Sequence, residues 1–271
     1  MPTTRSLPSM LVVVISALSA GWGGPPAYAQ GSSPEVSPEA REKACQSGDF
    51  SECHNLAVLY EEGQGVEKNL GRAVALYERG CQGGALNACN NLGRLLEDGE
   101  GVEKDVRRAV SLYEKTCQGG VGMGCHNLGF LYAQGEVVEK DERRAISYFE
   151  KGCQGGVALA CKNLGFYYET GQGVDKDVRQ AAAFYEKACQ GGAANGCVRL
   201  GNFYAKGLEV KKDERRAASL YEKACQGGAA EGCGNLGLLY KQGRGVKKDK
   251  RQAARLLKQA CDAGDTDACG K

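Results

Sequence analysis

Fourteen cysteines recur at two fixed intervals, and they limit what this chain can become. They form seven pairs eight positions apart: Cys45/Cys53, Cys81/Cys89, Cys117/Cys125, Cys153/Cys161, Cys189/Cys197, Cys225/Cys233 and Cys261/Cys269. Each pair follows the last by 36 residues, and no cysteine is left over. On one continuous α-helix eight residues span about 12 Å, beyond the ~7 Å Cα limit for a disulfide. A local bond therefore requires the segment between the cysteines to fold back. Gln190-Gly191-Gly192 and its counterparts supply the means, because glycine enters the left-handed conformation that ends a helix without a Cβ penalty. The stretch reads as helix end, tight turn and helix start, with a sulfur on each arm. Spacing alone does not prove connectivity; seven identical local pairings are the simplest scheme. Each bond would contribute about 2.5 kcal/mol in the loop-entropy model.

A fixed period points to one elongated repeat array rather than one or two compact domains. The unit that starts at Cys89 first carries Leu92, Leu95 and Leu96 at helical spacing and is stopped by Gly99-Glu100-Gly101; this is helix A. Its equivalents are expected to begin at Cys53, Cys125, Cys161, Cys197 and Cys233. A loop follows with a valine in every copy: Val66, Val102, Val138, Val174, Val210 and Val246. Next comes Asn69, Asp105, Asp141, Asp177, Asp213 or Asp249, a residue type that accepts from the orphan amides of a helix start, and so the predicted N-cap of helix B. Helix B sets Ala109, Leu112, Tyr113 and Thr116 on one stripe. Inside helix A, Gly93, Gly129, Gly165, Gly201 and Gly237 share one position. Glycine there costs about 1 kcal/mol relative to alanine, so its recurrence predicts a close backbone approach. Such helix pairs bury their apolar stripes only by stacking. The expected fold is all-α: a right-handed α/α superhelical solenoid of six A and seven B helices over residues 39–271, six full repeats after an N-terminal half repeat.

The amino terminus reads differently. Arg5 precedes the apolar run Leu11–Ala20, a Gly/Pro-rich break and Ala27-Tyr28-Ala29, which together predict a cleaved secretory signal over residues 1–29. The run is too short for a good membrane span, so no stable insertion is expected after cleavage. Residues 30–38 read as a polar linker. Export agrees with paired cysteines, since an oxidising compartment turns local thiols into structural disulfides. The expected location is secreted or periplasmic. Net charge is only +2, without a run of like charge, which argues against a nucleic-acid partner.

No catalytic set is visible: S-x-x-K, K-T-G, H-E-x-x-H and G-x-S-x-G are all missing. Ser111, Ser147 and Ser219 alternate with Ala75 and Ala183 at one helix B position, which reads as small filler. The two histidines, His54 and His126, stand two repeats apart and read as surface residues too distant to share a metal. Neither metal nor cofactor is predicted.

What remains is a surface. Asn91, Asn127, Asn163 and Asn235 recur at one helix A position that flanks the apolar stripe, where Arg199 is the exception. A ladder of amides can hydrogen-bond an extended peptide, or it can satisfy neighbouring repeats. One turn on, the residues vary, and Phe130 and Phe166 offer apolar anchors in adjacent repeats. Asn127, Asn163, Phe130 and Phe166 are the expected centre of a binding groove.

The pattern N-L-G-x-x-Y-x-x-G-x-G-V-x-K-D, continued by A-x-x-x-Y-E-K-A-C-x-G-G, resembles the Sel1-like repeat, a relative of the tetratricopeptide repeat. With its signal segment and a cysteine pair in each unit, the chain is similar to the Helicobacter cysteine-rich protein family. The resemblance covers about residues 39–271 and implies an α/α superhelix with one disulfide per repeat. It also implies a protein or peptide partner. For some members it implies penicillin binding with slow β-lactam hydrolysis, so a β-lactam or cell-wall fragment is the alternative ligand.

Overall fold

The computed structural model describes residues 36–135 and 139–270; the predicted signal segment, linker residues 30–35 and Val138 lie outside them. Within these limits the junctions behave as the cysteines require. At the first full one, Gly84 takes φ +93°, Ala85 N donates to Gly80 O at 2.9 Å, and Gly84 N donates to Cys81 O at 3.2 Å. This is the Schellman arrangement, which satisfies the last carbonyls of one helix while turning the chain into the next. It recurs at Gly120, Gly156, Gly192 and Gly228. Two cysteines eight apart are thereby brought to Cα distances of 4.6–4.9 Å. All seven local pairs are bonded: Cys45–Cys53, Cys81–Cys89, Cys117–Cys125, Cys153–Cys161, Cys189–Cys197, Cys225–Cys233 and Cys261–Cys269.

Thirteen helices and no strand form among the described residues. The B helices are α1 (Pro38–Gln46), α3 (Leu70–Gln82), α5 (Val106–Gln118), α7 (Glu142–Gln154), α9 (Val178–Gln190), α11 (Glu214–Gln226) and α13 (Lys250–Asp262). The A helices are α2 (Phe50–Glu62), α4 (Leu86–Asp98), α6 (Gly122–Gln134), α8 (Ala158–Thr170), α10 (Ala194–Lys206) and α12 (Ala230–Gln242).

These starts correct the sequence reading. The A helices do not begin at Cys53, Cys89, Cys125, Cys161, Cys197 and Cys233 but three residues earlier, because the Schellman turn takes only three residues. Each of these cysteines therefore lies inside the first turn of its helix and is buried against the preceding B helix, with Cys53, Cys125, Cys197 and Cys233 at most 3% exposed. The predicted B-helix caps are in place: Asn69, Asp105, Asp141, Asp177 and Asp213 each accept at Oδ1 from the amide three residues on, at 2.9 Å. Asp249 accepts from the amides of both Arg251 and Gln252.

Each A helix packs on the B helix that follows it, and buried apolar side chains run from one repeat into the next. Tyr77, Tyr113, Phe149, Tyr185, Tyr221 and Leu257, equivalent positions of the B helices, are all buried. They explain the recurrent glycines, and they correct the expected reason. A Cβ on Gly165 would lie 2.6 Å from the Tyr185 ring; on Gly93 it would lie 2.7 Å from the Tyr113 ring, and on Gly129 2.7 Å from the Phe149 ring. At these three positions the nearest obstacle is an aromatic side chain of the same repeat, not a neighbouring backbone. A further correction concerns Ser111, Ser147 and Ser219. They are exposed, as are Ala75 and Ala183, so the interchange reflects solvent contact rather than core filling.

Neighbouring A helices come close enough to touch, as α2 does α4 and α10 does α12. The B helices are instead bridged by long side chains, such as Arg108–Glu78 and Arg216–Glu186. The A row therefore forms the inner face of the stack, and its side chains face the same space from successive repeats.

Candidate functional site

Two consecutive residues of each A helix build this face. The first stands directly after the cysteine: His54, Asn90, His126, Lys162, Val198 and Gly234. The second is Asn55, Asn91, Asn127, Asn163, Arg199 or Asn235. Because repeats stack in register, the second residue of one reaches the first residue of the repeat before it. Asn91 Nδ2 donates to His54 Nε2 at 3.3 Å, Asn127 Nδ2 to Asn90 Oδ1 at 3.2 Å, and Asn163 Nδ2 to His126 Nε2 at 3.4 Å.

Bonds within each helix join these rungs. His126 Nδ1 pairs with Asn127 Oδ1 at 3.3 Å, Asn90 Nδ2 with Asn91 Oδ1 at 3.4 Å, and His54 Nδ1 with Asn55 Oδ1 at 3.4 Å. An amide nitrogen only donates, so both Nε2 atoms accept and both imidazoles carry their proton on Nδ1. One directed chain results, running Asn163, His126, Asn127, Asn90, Asn91, His54, Asn55. It ends on the Glu52 carboxylate, which accepts from Asn55 Nδ2 at 2.9 Å and pairs with Arg41.

The expected amide ladder therefore exists, but across these repeats it is joined to itself rather than left open along its length. Asn235 is half-buried and donates to Asn202 Oδ1 at 3.5 Å. The histidines require correction: they are half-buried links of the ladder, each tilted against a B-helix ring at 5.8 Å, His54 on Tyr77 and His126 on Phe149. No group of three or more metal-ligating side chains converges among the described residues.

Burial, and then the neighbouring Lys162 ammonium, hold the His126 imidazolium below its ordinary pKa. A second proton would sit on Nε2 and face the donating amide of Asn163. A histidine whose folded pKa is depressed gives stability above its unfolded value of about 6.5, and that stability is lost as pH falls through the folded pKa. Urea midpoints are therefore expected to drop between pH 7.5 and 5. His126→Gln, whose Oε1 still accepts, should flatten that part of the slope. An equal slope in the variant would contradict the assignment.

Beside the ladder lies an apolar stripe. Phe130 is 45% exposed and Phe166 42%. Met123 (40%) and Leu159 (47%) stand seven residues before them on α6 and α8, on the same helical face. Asn127 and Asn163 lie between, so the four predicted central residues are brought together. Sequence reading missed Met123 and Leu159, although their position varies as Ser51, Asn87, Asn195 and Glu231 in the other repeats and so carried the same signal of release from packing. The patch is bordered by Asn87, Asn91 and Arg94 on α4 and by Asn195, Arg199 and Asn202 on α10. Arg94 is engaged by Glu61. A cavity of about 650 Å³ lies elsewhere, against α13, lined by Ala253, Leu257, Lys258 and Cys261 among others, and includes no ladder residue.

The seven disulfides, with no free cysteine among the described residues, point to an oxidising, extracytoplasmic compartment. No described helix is long and apolar enough to cross a membrane.

A model of the Sel1 repeat matches residues 53–84, 86–121, 122–157, 158–192, 194–228 and 230–265. No curated protein matches. Among solved structures, c5321, a protective antigen of uropathogenic Escherichia coli strains with an SLR fold, is 29% identical with a TM-score of 0.77, over 86% of this chain and 50% of its own. The present chain thus spans half the length of that antigen. A Sel1 repeat protein of Oxalobacter formigenes is 28% identical with a TM-score of 0.76, over 83% of this chain and 99% of its own. Helicobacter pylori cysteine rich protein B is 36% identical over 50% of this chain and 98% of its own, with a TM-score of 0.41. Six matched units, covering most of the cysteine-paired array, make this chain a member of the Sel1 repeat family.

Proposed function

We propose that this chain is a secreted or periplasmic scaffold that captures an extended segment of a partner protein on its inner A-helix face. One observation carries the reading. Four of the six exposed large apolar side chains among the described residues, Met123, Phe130, Leu159 and Phe166, occupy one stripe of two adjacent helices. Exposed apolar patches with polar rims mark interaction sites, and aromatic anchors supply much of their binding energy. The linked amides stiffen the floor beneath, while Asn163 Oδ1 and spare amide hydrogens stay open to a peptide backbone. The predicted signal segment supports export of such a scaffold.

A peptide array of random 15-residue sequences tests this reading. The wild-type chain is expected to bind a subset, and Asn127→Ala with Phe166→Ala should weaken capture at least tenfold while moving the melting temperature by only a few degrees. Undiminished capture, or none by the wild type, would contradict it.

A further inference from the structure

The ladder stops at one rung, and the stop has a charge. At the α8–α10 rung the register that joins Asn91 to His54 and Asn163 to His126 sets Arg199 against Lys162. Two cations thus stand where each earlier rung joins an amide to an acceptor. Neither has an ion-pair partner within 4.0 Å among the described residues. Carboxylates on α8 and α12 accept from neutral donors and form no ion pair with either cation: Glu169 accepts from the Tyr185 hydroxyl at 2.6 Å, and Glu231 accepts from Asn202 Nδ2 at 3.4 Å. Lys162 is half-buried and Arg199 exposed, so one cation forms the floor and the other the rim. Burial, and then Arg199, push the Lys162 ammonium below the usual lysine range, the mark of a charge that lacks compensation. Lys162 also shares a helix face with Leu159 and Phe166, three residues after one and four before the other.

We infer that Lys162 and Arg199 form a carboxylate subsite of the inner face, which selects partner segments carrying a carboxylate beside apolar residues. This inference rests on the peptide-capture reading. A carboxylate would accept from the planar fork of Arg199 and from Lys162 Nζ, neutralising a like-charge contact that the empty face must tolerate. Its apolar neighbours would then cover Phe166 and Phe130. The carboxylate has two sources, a chain terminus or an acidic side chain.

The probe is a random 12-residue peptide library displayed with free carboxyl ends and selected on the full chain. Selected peptides are expected to carry a carboxylate within about three residues of an aromatic or branched apolar residue. Arg199→Asn and Lys162→Gln should each lower their affinity at least tenfold. Amidating the best peptide separates the sources: lost binding assigns the terminus, retained binding an acidic side chain. Because R199N removes a like-charge contact and leaves an amide that accepts from Lys162, its melting temperature should not fall; a drop of several degrees would make Arg199 structural and overturn the inference. Peptides sensitive to Phe130→Ala and Phe166→Ala but indifferent to R199N and K162Q would sink the carboxylate subsite and leave the groove standing. Peptides indifferent to all four variants, or no selected peptide, would sink both.

Discussion

Complete reduction of the seven disulfides should abolish the cooperative thermal transition of the oxidised chain near its original temperature and leave a broad transition well below it. The reason lies in the size of the units. Twelve of the thirteen helices have 13 residues and α1 has nine, lengths at which an isolated helix is marginal in water. Each junction therefore depends on the packing of neighbours and on the sulfur bridge beside its Schellman turn. The loop-entropy model gives about 2.5 kcal/mol per bridge, so a few of them rival the 5–15 kcal/mol net stability of an ordinary domain. A solenoid transmits stability only between neighbouring repeats, so losses along its whole length are not rescued from one end. Removing one bridge by Cys153→Ala with Cys161→Ala should cost about 2–3 kcal/mol and open the array first around α7 and α8. Circular-dichroism melts of oxidised and fully reduced chain, with thiol titration confirming reduction, make the comparison. An unchanged melting temperature would contradict it.

The second large effect concerns the glycine–ring contact that sets the spacing between A and B helices. Tyr185→Ala should destabilise the chain by about 3–5 kcal/mol, the usual cost of emptying a buried aromatic site. The ring is 1% exposed, stacks edge-on against Phe203 at 5.7 Å and donates its hydroxyl to Glu169, so the variant loses packing and leaves that carboxylate without its partner. The converse variant is more diagnostic. By helix propensity alone Gly165→Ala should stabilise by about 1 kcal/mol. Its Cβ would sit 2.6 Å from the Tyr185 ring, and overpacking of that kind costs about 1–3 kcal/mol, so net destabilisation is expected. Combining G165A with Tyr185→Leu should recover part of the loss, because the smaller side chain admits the methyl. Urea midpoints of the three variants decide the point. A stabilised G165A chain would mean that the glycine row has another cause.

How much of this was legible in the sequence depended on whether the cause was local. The seven junctions were readable because turn chemistry and cysteine spacing act within ten residues, although the brevity of the turn moved each A-helix start ahead of its cysteine. The B-helix caps were readable for the same reason, since an Asn or Asp before a periodic apolar stripe needs only its own next turn. The helix A glycines were seen as a close approach, but the ring responsible lies about 20 residues on, across the repeat. His54 and His126 were misplaced because their partners, Asn91 and Asn163, come from the following repeat, 37 residues away. Phe130 and Phe166 could be found by comparing copies, whereas the Lys162–Arg199 rung became visible only when the stacking register showed which residues meet.

The most direct test of the account is a disulfide map of the purified chain, digested without reduction and read by mass spectrometry. The map should show no free thiol and yield seven bridges, each joining cysteines eight residues apart. A free thiol, or a bridge between different junctions, would contradict the account.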